Sequence, residues 1–263
     1  VSYNSYLITD EKKVLVDLTK STKEGSLLGQ IHDVLNPAEL DYIVLNHMEP
    51  DHTGAIKVLH SLAPQAVFLL TAKAASMLQA FYGITERVRV VEDGEELSLG
   101  EKTLAFYTVP FVHWPETMVT YEKTQRVLFS CDAFGGYGAL RGAIFDDECT
   151  DMGFYLQESL RYYVNIVALF SGPVRKAIAK LAGLDMQVSA PSHGLVWHKD
   201  PGRIVQSYQK WAQYASSPGD PEVTLIYGSM YGNTETMMNA VAEGVSKAGV
   251  PLAIFDAART HVS

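Results

Sequence analysis

The chain is short of cysteine, of basic residues and of long apolar runs, and each shortage removes a class of protein. Cys131 and Cys149 are its two cysteines, too few for a disulfide scaffold or a Cys-rich metal site. No uninterrupted apolar stretch approaches the ~18 residues of a membrane span, and no basic segment leads a hydrophobic one at the start. The expectation is therefore no membrane partner and a cytoplasmic location. With 21 basic against 30 acidic residues the net charge is -9, which argues against nucleic acid or an anionic membrane surface as the partner. Internal repeats and low-complexity tracts are lacking too. What is present is ordinary for a globular protein, with 47% hydrophobic and 19% charged residues. At roughly 100 to 200 residues per domain, 263 residues allow one large domain, or one domain and part of a second. The first residues, Val1 to Ile8, carry no initiator Met and already look strand-like, so a fragment is expected.

Apolar runs and helix-period stretches alternate along most of the chain. Tyr6 to Thr9 and Val14 to Asp17 flank a charged turn and read as a hairpin. Strands are expected at 41–45, 66–70, 88–91, 103–109, 126–130 and 187–190, and helices at 27–35, 54–62, 72–82, 155–170, 174–182 and 200–215. In the last helix Ile204, Tyr208, Trp211, Ala212 and Ala215 share a face, and Asp200 and Pro201 suit its start. Residues 216–222 then have linker composition, with Pro218, Gly219 and Pro221 close together. Beyond them a strand at 223–227, a polar loop at 228–234, a helix at 235–248 closed by Gly249 and a strand from Leu252 form a β-loop-α-β opening.

The most informative stretch is Asn46-His47-Met48-Glu49-Pro50-Asp51-His52, directly after an apolar run. A loop at the carboxyl end of a strand is where a sheet protein presents ligands outward. His113, Asp132 and His193 follow three other expected strands in the same way. A lone His after a strand is more often a loop residue than a ligand, but ligand-type side chains at strand end after strand end make a cluster the better reading. His32, His60, His198 and His261 are read as surface or packing residues. The set joins imidazoles and carboxylates without thiolate, which suits iron or manganese at least as well as zinc. Charge is consistent with two ions: the four positive charges of two divalent cations meet three carboxylates, and one hydroxide brings the site near neutrality.

The run His47-x-Glu49-x-Asp51-His52, with the later His113, Asp132 and His193, resembles the metallo-β-lactamase-like domain of the flavodiiron proteins, or A-type flavoproteins. Hydrolases of that fold usually carry His where this chain has Glu49, and bind zinc. The resemblance extends to Tyr3 to Ile8, Val112-His113-Trp114-Pro115 and Pro191-Ser192-His193-Gly194, and so to nearly all of residues 1–215. It implies an α/β chain: a metallo-β-lactamase-like αββα sandwich over 1–215, a linker at 216–222, and the start of a doubly wound flavodoxin-like FMN domain at 223–263. It further implies one iron on His47, Glu49 and His113, a second on Asp51, His52 and His193, and Asp132 as the bridge. In some family members the residue matching His52 is not a ligand in every state.

Ser229-Met230-Tyr231-Gly232-Asn233-Thr234 lies between a strand and a helix amino terminus, where backbone N–H groups, hydroxyls and the helix dipole favour a phosphate. Hydroxyl-rich turns before helices are also common as simple caps. The loop resembles the phosphate loop of flavodoxins, at the place where the family carries FMN. The later loops that would sandwich the flavin ring are not among these residues, so FMN retention is an open expectation.

The resemblance implies an oxidoreductase that reduces dioxygen to water, nitric oxide to nitrous oxide, or both. Four electrons convert dioxygen to two waters, two from a diferrous pair and two from reduced FMN; two nitric oxide molecules need only two. Rubredoxin, a reduced deazaflavin or a flavin reductase serves as donor to different members, and a head-to-tail homodimer brings the flavin of one subunit to the metals of the other. Met48, Phe111, Trp114 and Phe134 sit near the ligands in sequence and suit either an apolar gas-accessible wall or ordinary core packing. The rival readings are a zinc hydrolase of the same fold and a diiron oxygen sensor.

Overall fold

The computed structural model describes residues 1–138, 140, 142–217 and 219–260. Pro218 of the expected linker and His261 lie outside the described residues. The chain divides into two compact units, Val1–Ala212 and Gln213–Ser263.

The first unit contains two five-stranded sheets. One has the order β1 (Tyr6–Ile8), β2 (Val14–Val16), β3 (Tyr42–Val44), β4 (Val67–Leu70) and β5 (Val88–Val90), parallel apart from the β1–β2 hairpin. The other runs β10 (Val188–Pro191), β9 (Val127–Cys131), β8 (Met118–Glu122), β7 (Thr103–Thr108) and β6 (Glu96–Ser98), antiparallel except for β9–β10.

Side-chain alternation sorts the buried residues into three layers of core. Val14, Val16, Val44 and Leu69 face Leu104, Phe106, Met118 and Phe129 between the sheets. Their neighbours Leu15, Ile43, Phe68 and Leu70 point the other way. They meet α1 (Glu24–His32), α3 (Ile56–Leu62) and α4 (Ala72–Tyr82) through Leu27, Ile31, Ile56, Leu59, Ala74 and Leu78. On the far side Val119, Tyr121 and Leu128 meet α5 (Met152–Tyr162), α6 (Ser171–Leu181) and α7 (Pro201–Gln213). Helices therefore cover both outer faces of a sheet pair, the αββα arrangement. Each fully buried large side chain contributes about 1.5–3 kcal/mol, so the three layers make this unit the stable frame of the site.

Three departures from the sequence reading have physical causes. Strand β8 was not expected; all five of its residues are buried, so it lacks the in-out alternation that marks a half-exposed strand. Strand β6 is a three-residue edge with little apolar content. The helix expected over 155–170 begins at Met152 and ends at Tyr162, followed by a π-helical turn at Tyr163–Val167 and a 3-10 turn at Ala168–Phe170. Tyr162 and Tyr163 are both buried, the first beside His193 and the second hydrogen-bonded to Ser171 at 2.6 Å. The widened turn accommodates two large adjacent side chains that a regular helix would aim about 100° apart.

Thr71 ties one helix to the neighbourhood of the site. Its hydroxyl accepts from Ala74 N at 3.2 Å as the cap of α4 and donates to the Glu116 carbonyl at 3.0 Å. Thr71→Ala is expected to lower unfolding free energy by about 1–2 kcal/mol. A shift in urea midpoint measures this, and an unchanged midpoint would show the cap to be dispensable.

The second unit is a β-α-β element. Strands β11 (Val223–Tyr227) and β12 (Leu252–Asp256) pair in parallel across α8 (Asn233–Lys247). The helix starts two residues earlier than the sequence suggests, so Asn233 and Thr234 belong to its first turn.

Candidate metal centre

Four strand ends of the first unit converge. His47 and Glu49 follow β3, and Asp51 and His52 lie on the short helix α2 (Pro50–Thr53) that Pro50 opens. His113 follows β7, Asp132 follows β9 and His193 follows β10. Cys131 and Phe134 adopt left-handed φ of 54° and 67° on either side of Asp132. Such conformations cost of order 1 kcal/mol or more in a non-glycine residue, and they turn the chain sharply enough to aim Asp132 back toward the histidines.

All seven expected side chains come together, in two groups. His47, Glu49, His113 and Asp132 form one, and Asp51, His52 and His193 form the other. In the first, His113 Nε2 is 3.0 Å from both Glu49 Oε2 and Asp132 Oδ2, and His47 Nε2 is 3.3 and 3.5 Å from the same two oxygens. In the second, His52 Nε2 lies 3.5 Å from Asp51 Oδ1 and 3.0 Å from Asp132 Oδ1. His193 Nε2 lies 3.4 Å from Asp51 Oδ2 and 3.2 Å from Asp132 Oδ1. Asp132 thus turns one oxygen to each group. Donor atoms around one ion at bonds near 2.1 Å stand about 3–3.4 Å apart, which is the spacing seen here.

Two further observations test whether the residues suit metal ions. His52 Nε2, Asp132 Oδ1 and Asp51 Oδ1 are buried polar atoms without a hydrogen-bond partner, although His52 Nε2 and Asp132 Oδ1 are 3.0 Å apart. Buried polar atoms left unpaired are costly, and a cation between them removes the cost. The imidazoles are also turned to present Nε2. His47 Nδ1 is 2.8 Å from Glu116 Oε1, and His193 Nδ1 is 2.8 Å from the Ser2 carbonyl, so both Nδ1 atoms carry protons.

Electrostatics point the same way. Burial alone would lower the His47 pKa, but the carboxylates of Glu116, Glu49 and Asp132 raise it to about 10. Burial is likewise outweighed at His113, raised to about 9, and at His193, raised to about 10, by Asp132 with Glu49 and Asp51 respectively. Burial would raise Asp132, yet the neighbouring His52, His113 and His193 hold it well below the usual carboxylate range. The His113 and His47 hydrogen bonds lower Glu49 to about 2. This pocket concentrates negative charge that metal-free imidazoles balance by holding protons, and cations would replace those protons. His47, His52, Asp132 and His193 are buried, whereas the side chains of Glu49 and Asp51 are 36% and 29% exposed, so the open side lies over these two carboxylates.

The expected apolar wall divides. Met48 is fully buried in the core beneath the first sheet, and Phe134 packs in the opposite core against Tyr208. Phe111 is 47% exposed, stacked on Phe170. Of the four, Trp114 touches the site, its ring meeting His47 edge-on at 5.0 Å. His60 stacks on Phe68 and His198 on Phe145, and His32 is exposed, as packing and surface residues are.

Sequence reasoning missed the outer partners. Glu116 is a buried carboxylate, a residue type that reads as surface charge. The Ser2 carbonyl carries no sequence signal at all. Ser2 Oγ also accepts from Gly194 N at 2.7 Å, and Asn4 Nδ2 donates to the carbonyls of Pro191 and Gly194 at 2.9 Å, so the amino-terminal segment straps the His193 loop in place.

In the second unit, the loop after β11 turns through Gly232, whose φ of 84° is left-handed, into α8. Gly232 N donates to Ser229 Oγ at 2.9 Å, so that hydroxyl serves the turn. Met230 and Tyr231 are 85% and 86% exposed.

Residues 1–194 match the family described as ODP family beta lactamase. Over 257 residues the chain is 35% identical to a nitric oxide reductase of Moorella thermoacetica, covering 97% of this chain and 63% of that protein. Its fold superposes on rubredoxin oxygen:oxidoreductase of Desulfovibrio gigas with a TM-score of 0.90 at 31% identity, covering 98% of this chain and 65% of that one. The flavodiiron protein of Giardia intestinalis matches with a TM-score of 0.90 at 30% identity, covering 98% and 63%. The chain thus spans less than two thirds of the length of these relatives.

Proposed function

This chain belongs to the flavodiiron family, with the family's metallo-β-lactamase-like fold and an ODP beta-lactamase match over residues 1–194, and on that premise we propose that it is the metal-bearing part of an oxidoreductase that reduces dioxygen to water, nitric oxide to nitrous oxide, or both. The single observation that carries the reading is the pair of ligand groups sharing Asp132. Relatives named for both reactions support the substrate classes.

His47, Glu49 and His113 would hold one iron and Asp51, His52 and His193 the other, with Asp132 between them. When bound, the iron pair would supply two electrons and a place for a diatomic gas to bind, and FMN two electrons more. The chain's own part is geometric and electrostatic. Asp132 keeps the two groups in register, Glu116 and the Ser2 carbonyl fix the tautomers of His47 and His193, and the buried imidazole side excludes water. The partly exposed Glu49 and Asp51 border the side from which a small molecule arrives.

Residues 229–234 fit the phosphate end of FMN: a left-handed glycine and the amino terminus of a 15-residue helix place N–H donors at the carboxyl end of a strand. Residues 216–222 are the proposed linker between the two domains. A rubredoxin, a reduced deazaflavin or a flavin reductase is the proposed donor, a head-to-tail homodimer the proposed assembly, and the cytoplasm the proposed location. No helix among the described residues is long and apolar enough to cross a membrane.

Metal analysis together with a visible spectrum tests the reading. Two irons per chain are expected, and stoichiometric zinc without iron would overturn it in favour of a hydrolase.

A further inference from the structure

The two metal groups differ in what stands behind them. Glu116 is buried, and its Oε1 accepts from both His47 Nδ1 at 2.8 Å and Met48 N at 3.0 Å. Its Oε2 is buried with no hydrogen-bond partner. A carboxylate that accepts two N–H bonds is held in its ionised form, so a full negative charge sits one hydrogen bond behind one imidazole of the first group. The direct Nδ1 partners in the second group are neutral: His193 Nδ1 donates to the Ser2 carbonyl, and His52 Nδ1 faces the Cys131 sulfur at 4.0 Å. Asp17, a buried carboxyl nearby, is engaged by Asn46 N at 2.8 Å, Asn46 Nδ2 at 3.0 Å and Ser192 Oγ at 3.3 Å. Its hydrogen bonds fix the β3 and β10 ends, and its field reaches His52 and His47, one imidazole of each group, without a hydrogen bond to either.

A carboxylate behind a ligating imidazole fixes its tautomer and strengthens it as a donor, and removing such a partner typically costs about 10- to 100-fold in metal affinity. A carbonyl fixes the tautomer with less charge, and a thiol at van der Waals distance does little of either. Resting on the diiron reading above, we propose that Glu116 makes the two metal positions unequal. The position of His47, Glu49 and His113 keeps its ion, and the position of Asp51, His52 and His193 gives its ion up first. Glu116 is a positioning residue in this scheme, acting through His47.

The test uses the full chain loaded anaerobically with Fe(II) and challenged with a chelator that colours on binding ferrous iron. Release is expected in two phases of one iron each, and His193→Ala is expected to abolish the fast phase alone. Glu116→Gln retains an acceptor oxygen for His47 and Met48 and removes the charge. It is expected to speed the slow phase about 10- to 100-fold and leave the fast phase as it is, whereas a general loosening of the fold moves both. A single release rate in the unaltered chain, a slow phase untouched by Glu116→Gln, or equal acceleration of both phases overturns the proposal. Should Glu116→Gln not fold, a single release rate in the unaltered chain, or a fast phase that survives His193→Ala, still overturns it. Uptake of zinc alone sinks the diiron reading too, while two irons that leave together sink only this inference.

Discussion

Asp132→Ala is expected to empty both metal positions, taking iron from two per chain toward none, whereas His193→Ala is expected to leave one. The difference follows from geometry. Asp132 turns Oδ2 to His113 and His47 and Oδ1 to His52 and His193, so it belongs to both groups, while His193 Nε2 meets Asp51 and Asp132 Oδ1 on the side of the second group. Losing a partner that merely supports a ligand costs about 10- to 100-fold in affinity, and losing a carboxylate that, in the proposed assignment, would contact both ions should exceed that at each. The alanine also leaves buried imidazoles without their shared counter-charge. Breaking a buried charged pair by removing one partner typically destabilises by about 3–5 kcal/mol, so a thermal melt belongs beside the metal analysis. A folded Asp132→Ala chain that retains two irons would remove the bridge from the proposal.

What the sequence revealed of this site, and what it hid, divides by the kind of atom involved. The side chains that converge were legible because each stands just past an apolar run, and parallel strands deliver such positions to one edge. The groups that orient them were not. Glu116 sits three residues after His113 in His-Trp-Pro-Glu, and a glutamate in a loop reads as solvated until the fold shows it buried against His47. The Ser2 carbonyl is main chain, and what places it at His193 is a contact across 191 residues. The fold follows the same division. Strands β3, β4 and β7 announce themselves as bounded apolar runs, while β8, central in its sheet and buried on both faces, carries Thr120 and Glu122 inside, which break the apolar run and leave an alternation only four residues long, Val119 to Glu122. Burial on both faces leaves such a strand without the solvent side that an alternation ordinarily marks. The polar interruption at Glu122 is local chemistry, since its carboxylate accepts from Thr124 N and Gln125 N to close the turn into β9.

Gly194→Ala is expected to cost about 2–5 kcal/mol, the sum of about 1–2 for a left-handed backbone that alanine resists and about 1–3 for overpacking. Gly194 has φ of 85°, and a Cβ there would overlap the Tyr155 hydroxyl and come within 3.1 Å of Tyr155 Cζ and 3.2 Å of Gly136 N. None of these can retreat easily, because Tyr155, carried on α5, is buried in the core and its Oη accepts from Leu195 N at 2.8 Å. The strain falls on the residue after His193, in the loop that Ser2 and Asn4 hold, so the Asp51–His52–His193 position should weaken before the His47–Glu49–His113 position does. A second substitution separates steric overlap from general damage. In the unaltered chain Tyr155→Phe leaves the buried Leu195 N–H without its acceptor and should cost about 1–3 kcal/mol. In the Gly194→Ala background the same change removes the overlapping oxygen and should recover part of the loss. The coupling between the two substitutions is therefore expected to be favourable, and urea midpoints for the four chains of the cycle measure it. Simple additivity would mean that the Tyr155 hydroxyl is not what excludes a side chain at position 194.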